Sequence, residues 1–177
     1  MSDGTGPGGV LVLGLGSPDR GDDAVGREVA GVVAALGLPG VAVIEHEDPT
    51  CVIEAWSGAS AVVVVDAVRS GALPGSVTVL EVGADTAALP RSAWSQTGRG
   101  GTHAFGLASA VELSRALRRL PARLWVVGVE AAGLEHGAPL SAPVAASVPE
   151  AVRRVVGLVE LASEVSASGG GCADVPR

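Results

Sequence analysis

The chain of 177 residues contains no lysine and no tyrosine, and its only aromatic residues are one phenylalanine and three tryptophans. Without lysine, neither a catalytic lysine nor a Walker-type phosphate-binding loop is available. With so few aromatic side chains, stacking on nucleic-acid bases is scarcely available either. The twelve basic residues are all arginine, and nineteen acidic residues bring the net charge to −7. Because nucleic-acid binding needs clustered positive charge, we expect no nucleic-acid partner.

Cysteine and long apolar runs are also scarce. The two cysteines are Cys51 and Cys172, the second in a segment rich in serine and glycine, so neither a disulfide framework nor a cysteine zinc cage is expected. The apolar runs are far shorter than a membrane span. The first residues, MSDGTGPGG, lack the charged and apolar regions of a signal peptide. We therefore expect a cytoplasmic protein that does not bind membranes.

Strands and helices alternate along the sequence. Aliphatic runs predict buried strands at 10–15, 61–65 and 124–129. A short strand is predicted at 41–45, and alternating apolar and polar residues predict a half-exposed strand at 76–82, near an edge of the sheet. Apolar spacing predicts helices over about 22–36, 102–120 and 141–161, the second with Leu113 and Leu117 turned inward. The fold class is thus α/β: a three-layer sandwich with a mostly parallel, twisted sheet of about five strands and helices on both faces. We expect one domain at 10–161, between a flexible leader (1–9) and a flexible Ser/Gly-rich tail (162–177).

A glycine-rich loop follows the first strand, in the segment VLVLGLGSPDRGDDAVG (residues 10–26). A loop of this kind, between a strand and a helix N-terminus, is a common place for a binding site. Its GxGxxxxG spacing differs from the GxGxxG dinucleotide pattern, and Asp22 and Asp23 lie where a pyrophosphate would bind. A cation is therefore a better ligand for this loop than a phosphate.

Three metal-ligating side chains are predicted to meet at one edge of the sheet. Asp23 starts the helix after the first strand, Asp66 ends the third strand, and His103 opens the helix that follows a second glycine-rich stretch. In such sheets, ligands bind at the carboxyl ends of the strands. Two carboxylates and one imidazole form a plausible ligand set for a divalent transition metal, with positions left open for water or substrate.

Each of these residues also has a purely structural interpretation. Taken alone, Asp22 and Asp23 favour helix capping, which contributes about 0.3–1 kcal/mol. A charge directly after five aliphatic residues risks burial and then needs a partner, and a histidine can simply begin a helix. Elsewhere, a buried structural role is favoured for Cys51, and a solvated turn is favoured over a second cation cluster for residues 46–48. Two residues that follow the last strand are further candidates for the cleft: Glu130 and His136.

Four segments together resemble the hydrogenase maturation protease family. They are VLVLGLGSPDRGDDAVG, VVVVDAVRSGALPGSV, GTHAFGLASAVEL and GVEAAGLEHGAPLSAPV, and the resemblance runs from Val10 to about Leu161. Members of this family remove a C-terminal peptide from the large subunit of a nickel-containing hydrogenase after nickel has been inserted. The resemblance matches the family's metal-contacting acid to Asp23, its strand-end aspartate to Asp66 and its histidine to His103.

The resemblance implies an endopeptidase that reads nickel supplied by its substrate. Its partner would be the precursor of a hydrogenase large subunit. No tightly held organic cofactor is expected, and any divalent metal that the protein itself holds would be weakly bound and exchangeable. Two departures from the family pattern leave the particular hydrogenase open: Ser17 stands where asparagine is common, and Glu47-Asp48-Pro49-Thr50 replaces a Gly-Gly-Thr turn.

Two other functions would use the same residues. One is a non-catalytic nickel-sensing or nickel-delivery accessory protein for hydrogenase assembly, which would bind the precursor without shortening it. The other, less favoured, is a metallohydrolase that acts on a small substrate with a resident metal of its own. Precursor cleavage distinguishes a peptidase from the accessory protein. A tightly held, stoichiometric metal in the purified protein would favour the metallohydrolase.

Overall fold

The computed structural model describes residues 9–83, Leu89 and 106–168. In this part of the chain, five strands form one sheet with the order β2-β1-β3-β5-β4. All neighbouring strands are parallel except β4 and β5, which are antiparallel. The predicted mostly parallel sheet of about five strands is therefore confirmed. Its strands are β1 (Val10–Leu15), β2 (Val41–His46), β3 (Ala61–Val68), β4 (Val77–Val82) and β5 (Arg123–Glu130).

Helices cover both faces of this sheet, as predicted. One face carries α1 (Val25–Ala35), which follows a 3-10 turn at Gly21–Ala24, and α4 (Ala142–Ser168). The opposite face carries α2 (Val52–Ala55), which follows a 3-10 turn at Pro49–Cys51, and α3 (Leu107–Ala116). None of the described helices is both long and apolar enough to cross a lipid bilayer.

The three central strands contain the aliphatic runs that predict buried strands in the sequence. Every residue of β1 and β3 is buried, as are all but the first residue of β5. Side chains alternate between the faces of a strand, so Val62 and Val64 pack towards α2 and α3 while Val63 and Val65 pack towards α1 and α4. A strand covered on both faces packs against the core on both sides, which accounts for these aliphatic runs.

Two details of the helices differ from the sequence expectations. Leu113 on α3 and Leu117, the residue that follows α3, are 40% and 52% exposed, whereas Leu107 and Val111 form the core face of this helix. The predicted end of α4 near Leu161 is wrong, since the helix continues to Ser168. Its extra turns keep contact with the core through Ala162, which is buried.

The expected leader and tail fall largely outside the described residues. The structure does not describe residues 1–8, 84–88, 90–105 and 169–177. His103 belongs to the third of these segments and Cys172 to the fourth. The expectations for these segments therefore stay predictions.

Candidate active site

The loop after β1 lies very close to the sheet and to the start of α1. Gly16 has φ +125°, and a Cβ atom at this residue would overlap the backbone oxygen of Asp23. Gly26, in the first turn of α1, lies so near the carbonyl oxygens of Leu15 and Val65 that a Cβ atom would overlap them too. These contacts between backbones require glycine. They fix the 3-10 turn that carries Asp23 at the carboxyl end of β1.

Asp23 has one carboxylate oxygen that is hydrogen-bonded and one that is not. The side chain is only 3% exposed. Its Oδ2 accepts a hydrogen bond from the Ser17 backbone N–H at 2.9 Å. Its Oδ1 is buried and has no hydrogen-bond donor among the described residues. A buried oxygen without a donor is costly, and a cation is a natural partner for it.

Asp66 lies inside β3, two residues before the strand ends at Val68, so the predicted strand end at this residue is wrong. The residue still reaches the edge of the sheet, because the last pairing of β3 with β1 is between Val65 and Gly14. By the alternation of strand side chains, Asp66 faces the side covered by α2 and α3. It is 4% exposed.

Asp23 and Asp66 line one pocket of about 110 Å³ at this edge. The pocket is large enough for a metal ion together with a few small ligands, since a water molecule occupies about 30 Å³ in the liquid. Both departures from the family pattern contribute to its wall, the first through Ser17 and the second through Glu47 and Pro49. The complete lining consists of Leu15, Gly16, Ser17, Arg20, Asp23, Glu47, Pro49 and Asp66.

Burial raises the pKa of both carboxyl groups above the ordinary value of 3.8. For Asp66 the rise is large, and the negative charge of Asp23 adds to it, against a smaller opposing effect of the Ala67 backbone N–H. For Asp23, burial outweighs the Ser17 N–H and the positive charge of Arg20, and Glu47 raises the pKa further. The two ionised groups therefore repel each other in a poorly hydrated place, and a bound cation would offset that repulsion.

The buried charge at Asp66 predicts that Asp66→Asn stabilises the fold at neutral pH. A carboxyl group whose folded pKa lies above its unfolded pKa lowers stability as pH rises from the unfolded value, about 3.8, through the folded value. The variant lacks this loss, so its free energy of unfolding should exceed that of the wild type at pH 7 by on the order of 1–3 kcal/mol. Urea unfolding between pH 3 and pH 8 measures the difference, which should shrink below about pH 4. A variant less stable than the wild type at pH 7 would contradict the conclusion that the buried charge of Asp66 destabilises the fold.

The third predicted ligand, His103, lies outside the described residues, so its position stays a prediction. Over residues 9–83, Leu89 and 106–168, no group of three or more His, Cys, Asp and Glu side chains is arranged to hold a metal ion. The described chain thus brings together Asp23 and Asp66 alone of the predicted set.

The capping interpretation of Asp22 and Asp23 is wrong. The 3-10 turn that contains them has no side-chain capping hydrogen bond. Asp22 instead accepts hydrogen bonds from Ala132, Gly133 and Ser141, more than 100 residues later in the chain. Burial raises the pKa of Asp22, but these hydrogen bonds outweigh it and leave the pKa below its ordinary value. This role was not predicted, because the pattern of a helix start reveals only local partners.

The remaining sequence candidates divide between the pocket and other places. Glu130 is buried and binds Ser70 and Gly71, and neither it nor His136, which is exposed, lines the pocket. The buried role expected for Cys51 is wrong, because this cysteine is exposed. Glu47 belongs to the expected solvated turn but also lines the pocket, and its carboxylate lies 3.5 Å from the Arg27 guanidinium.

Comparison with known proteins decides the family of this chain. Residues 47–158 match the profile of the HycI family, described as hydrogenase maturation protease. The chain belongs to the hydrogenase maturation protease family. The matched segment includes Asp66, His103 and the motif GVEAAGLEHGAPLSAPV (the motif at 128–144), whereas Asp23 precedes it. No curated protein sequence matches the chain.

Solved structures of low sequence identity share the fold of this family member. The hydrogenase maturating endopeptidase HybD from Escherichia coli is 22% identical, with a TM-score of 0.64 over 86% of this chain and 92% of its own. The [NiFe] hydrogenase maturation protease HybD from Thermococcus kodakarensis is 23% identical, with a TM-score of 0.60 over 85% and 99%. An endopeptidase from Escherichia coli, also 23% identical, gives a TM-score of 0.68 over 96% and 98%.

Proposed function

We propose that this chain is an endopeptidase that removes a C-terminal peptide from the nickel-loaded precursor of a hydrogenase large subunit. The single observation that carries the proposal is the pair of buried carboxylates, Asp23 and Asp66, that line one pocket in a member of this family. Because desolvation and mutual repulsion disfavour two buried negative charges, the pocket favours a ligand that brings positive charge.

Nickel in this proposal is part of the substrate and signals that the precursor has been loaded. The Oδ1 atom of Asp23 and the carboxylate of Asp66 supply oxygen ligands, and His103, predicted from the sequence, supplies a nitrogen ligand. Carboxylates and imidazole both bind divalent transition metals. A metal ion held between substrate and enzyme can polarise the scissile carbonyl or lower the pKa of a bound water, and the ligand set suits either role.

Free nickel and nickel bound to the precursor are expected to interact differently with this ligand set. Two carboxylates and one imidazole, with no thiolate, bind nickel less tightly than a structural metal site does. Free nickel should therefore exchange readily, whereas nickel bound to the precursor is presented together with the peptide to be cut. We further propose that the protein holds no organic cofactor tightly and that it acts in the cytoplasm.

Intact-mass spectrometry of the precursor tests the proposal. The nickel-loaded large-subunit precursor from the same organism is incubated with this protein, and its mass is followed with time. We expect the precursor to lose the mass of a C-terminal peptide while its N-terminus stays intact, at substoichiometric amounts of the protein. A precursor that forms a complex but keeps its mass would contradict the proposal and favour the accessory protein instead.

A further inference from the structure

Two loops at the carboxyl edge of the sheet are bound to each other along their length. The first loop covers residues 16–24, and the second loop, between β5 and α4, covers residues 131–141. Two of their backbone hydrogen bonds run from Gly21 N–H to the Ala138 carbonyl at 3.1 Å and from Gly137 N–H to the Asp19 carbonyl at 2.7 Å. A third joins Asp22 N–H to a carbonyl of the second loop at 3.0 Å. The first loop therefore depends on the second for its shape.

The Asp22 carboxylate is the centre of this contact. Its Oδ2 accepts from the backbone N–H groups of Ala132 and Gly133 at 2.8 and 3.0 Å and from the Ser141 hydroxyl at 2.9 Å. Its Oδ1 accepts from the Ser141 N–H at 2.6 Å. The side chain is 1% exposed. Hydrogen bonds to an ionised acceptor are roughly twice as strong as those between neutral groups, so this carboxylate fixes both loops firmly.

Asp23 is the next residue in the chain and lines the pocket, and its Oδ1 has no hydrogen-bond donor among the described residues. We propose that Asp22 is a positioning residue: by binding the second loop, it holds the 3-10 turn so that the Asp23 carboxylate is correctly placed in the pocket wall. This inference rests on the proposed function, in which Asp23 binds the substrate's nickel. It also gives a role to the motif at 128–144, which contributes no side chain to the pocket lining.

Asparagine at residue 22 has the shape of aspartate but the wrong chemistry for this position. In asparagine an NH₂ group replaces one of the two carboxylate oxygens. This hydrogen-bond donor would then face N–H groups that are donors themselves. At least one of the present hydrogen bonds must then be lost and the turn must shift. A misplacement of about 1 Å in an active site can cost about 10²-fold in rate.

Glu130 provides a matched control, because it is a second buried carboxylate that fastens a loop at the same edge. It accepts hydrogen bonds from the Ser70 N–H, the Ser70 hydroxyl and the Gly71 N–H at 3.0, 2.7 and 2.9 Å. It does not line the pocket. Loss of its charge should therefore destabilise the fold in a similar way without moving Asp23.

The experiment compares Asp22→Asn, Ser141→Ala and Glu130→Gln with the wild type. Precursor processing is measured at a temperature where circular dichroism shows each protein fully folded. The chemical shift of the Ser17 amide, which donates to Asp23, is followed by NMR in the absence of precursor. We expect Asp22→Asn to lower kcat/KM by at least about tenfold and to shift the Ser17 resonance. Ser141→Ala should lower kcat/KM by about twofold to tenfold.

The control separates positioning from general stability. Glu130→Gln should lower Tm but leave kcat/KM within about twofold and the Ser17 resonance unchanged. A folded Asp22→Asn protein with wild-type kcat/KM and an unshifted Ser17 amide would overturn the inference, as would an equal loss of activity in Glu130→Gln. If Asp22→Asn does not fold, Ser141→Ala decides by the same two measurements. A wild type that cuts no precursor would refute the proposed function alone, because the Ser17 amide still tests the placement of Asp23.

Discussion

Replacing either Asp23 or Asp66 with asparagine is expected to lower kcat/KM for precursor processing by about 10³-fold or more. Both carboxylates are buried and line the same pocket, and in the proposed function they supply the negative charge that binds the substrate's nickel. An amide keeps the shape of the side chain but removes that charge. The same loss is expected for His103→Ala, on the sequence prediction that this residue is the third ligand.

The expected stability of Asp66→Asn separates loss of activity from loss of the fold. Asp66→Asn removes a buried charge, so the protein should be folded and more stable than the wild type while it is inactive. Glu81→Gln is the matched control, because Glu81 is an exposed acid on the edge strand β4, and processing should be unchanged. Processing rates are measured with the nickel-loaded precursor at enzyme concentrations equalised by absorbance. Wild-type rates in a folded Asp66→Asn protein would remove this residue from the site.

Gly26→Ala is expected to destabilise the protein by about 3 kcal/mol or more. The added methyl group would overlap the carbonyl oxygens of Leu15 and Val65, which belong to the central strands β1 and β3. Backbone atoms of two buried strands cannot move aside as a flexible side chain can. Helix α1 would have to move away from the sheet, and the turn that carries Asp23 would move with it. Urea unfolding followed by circular dichroism measures the change.

Gly31→Ala is the control in the same helix. Gly31 is exposed, and the nearest atom to its added methyl group would be Glu45 Oε1 at 3.8 Å, an ordinary contact. Alanine is a better helix former than glycine by about 0.5–1 kcal/mol, so this variant should be slightly more stable than the wild type. Equal free energies of unfolding for the two variants would show that close packing of α1 on the sheet does not depend on Gly26.

The sequence predicts the central part of the fold well, because burial on both faces leaves a strong pattern. Strands that are buried on both faces, such as β1 and β3, appear in the sequence as aliphatic runs, at residues 10–15 and 61–65. Placement of Asp23 and Asp66 after two such runs was sufficient to expect them at one edge, and both line one pocket. Their chemical roles remain proposals, as does the position of His103.

What the sequence does not reveal depends on partners that are distant in the chain. Asp22 resembles a capping residue locally, yet its partners lie 110 to 119 residues away. Leu113 fits a helical apolar stripe but lies outside the core, because spacing along a helix does not fix how wide the buried face is. Glu47 resembles part of a solvated turn, and only the packing of that turn beside the first loop places it in the pocket wall.

The most direct test compares one precursor with and without nickel. The same large-subunit precursor is prepared in both states, each is incubated with the wild-type protein, and intact mass is recorded over time. If the buried carboxylates bind the nickel of the substrate, the nickel-loaded precursor should lose its C-terminal peptide and the nickel-free precursor should stay intact. Equal cleavage of the two precursors, or cleavage of neither, would contradict this account.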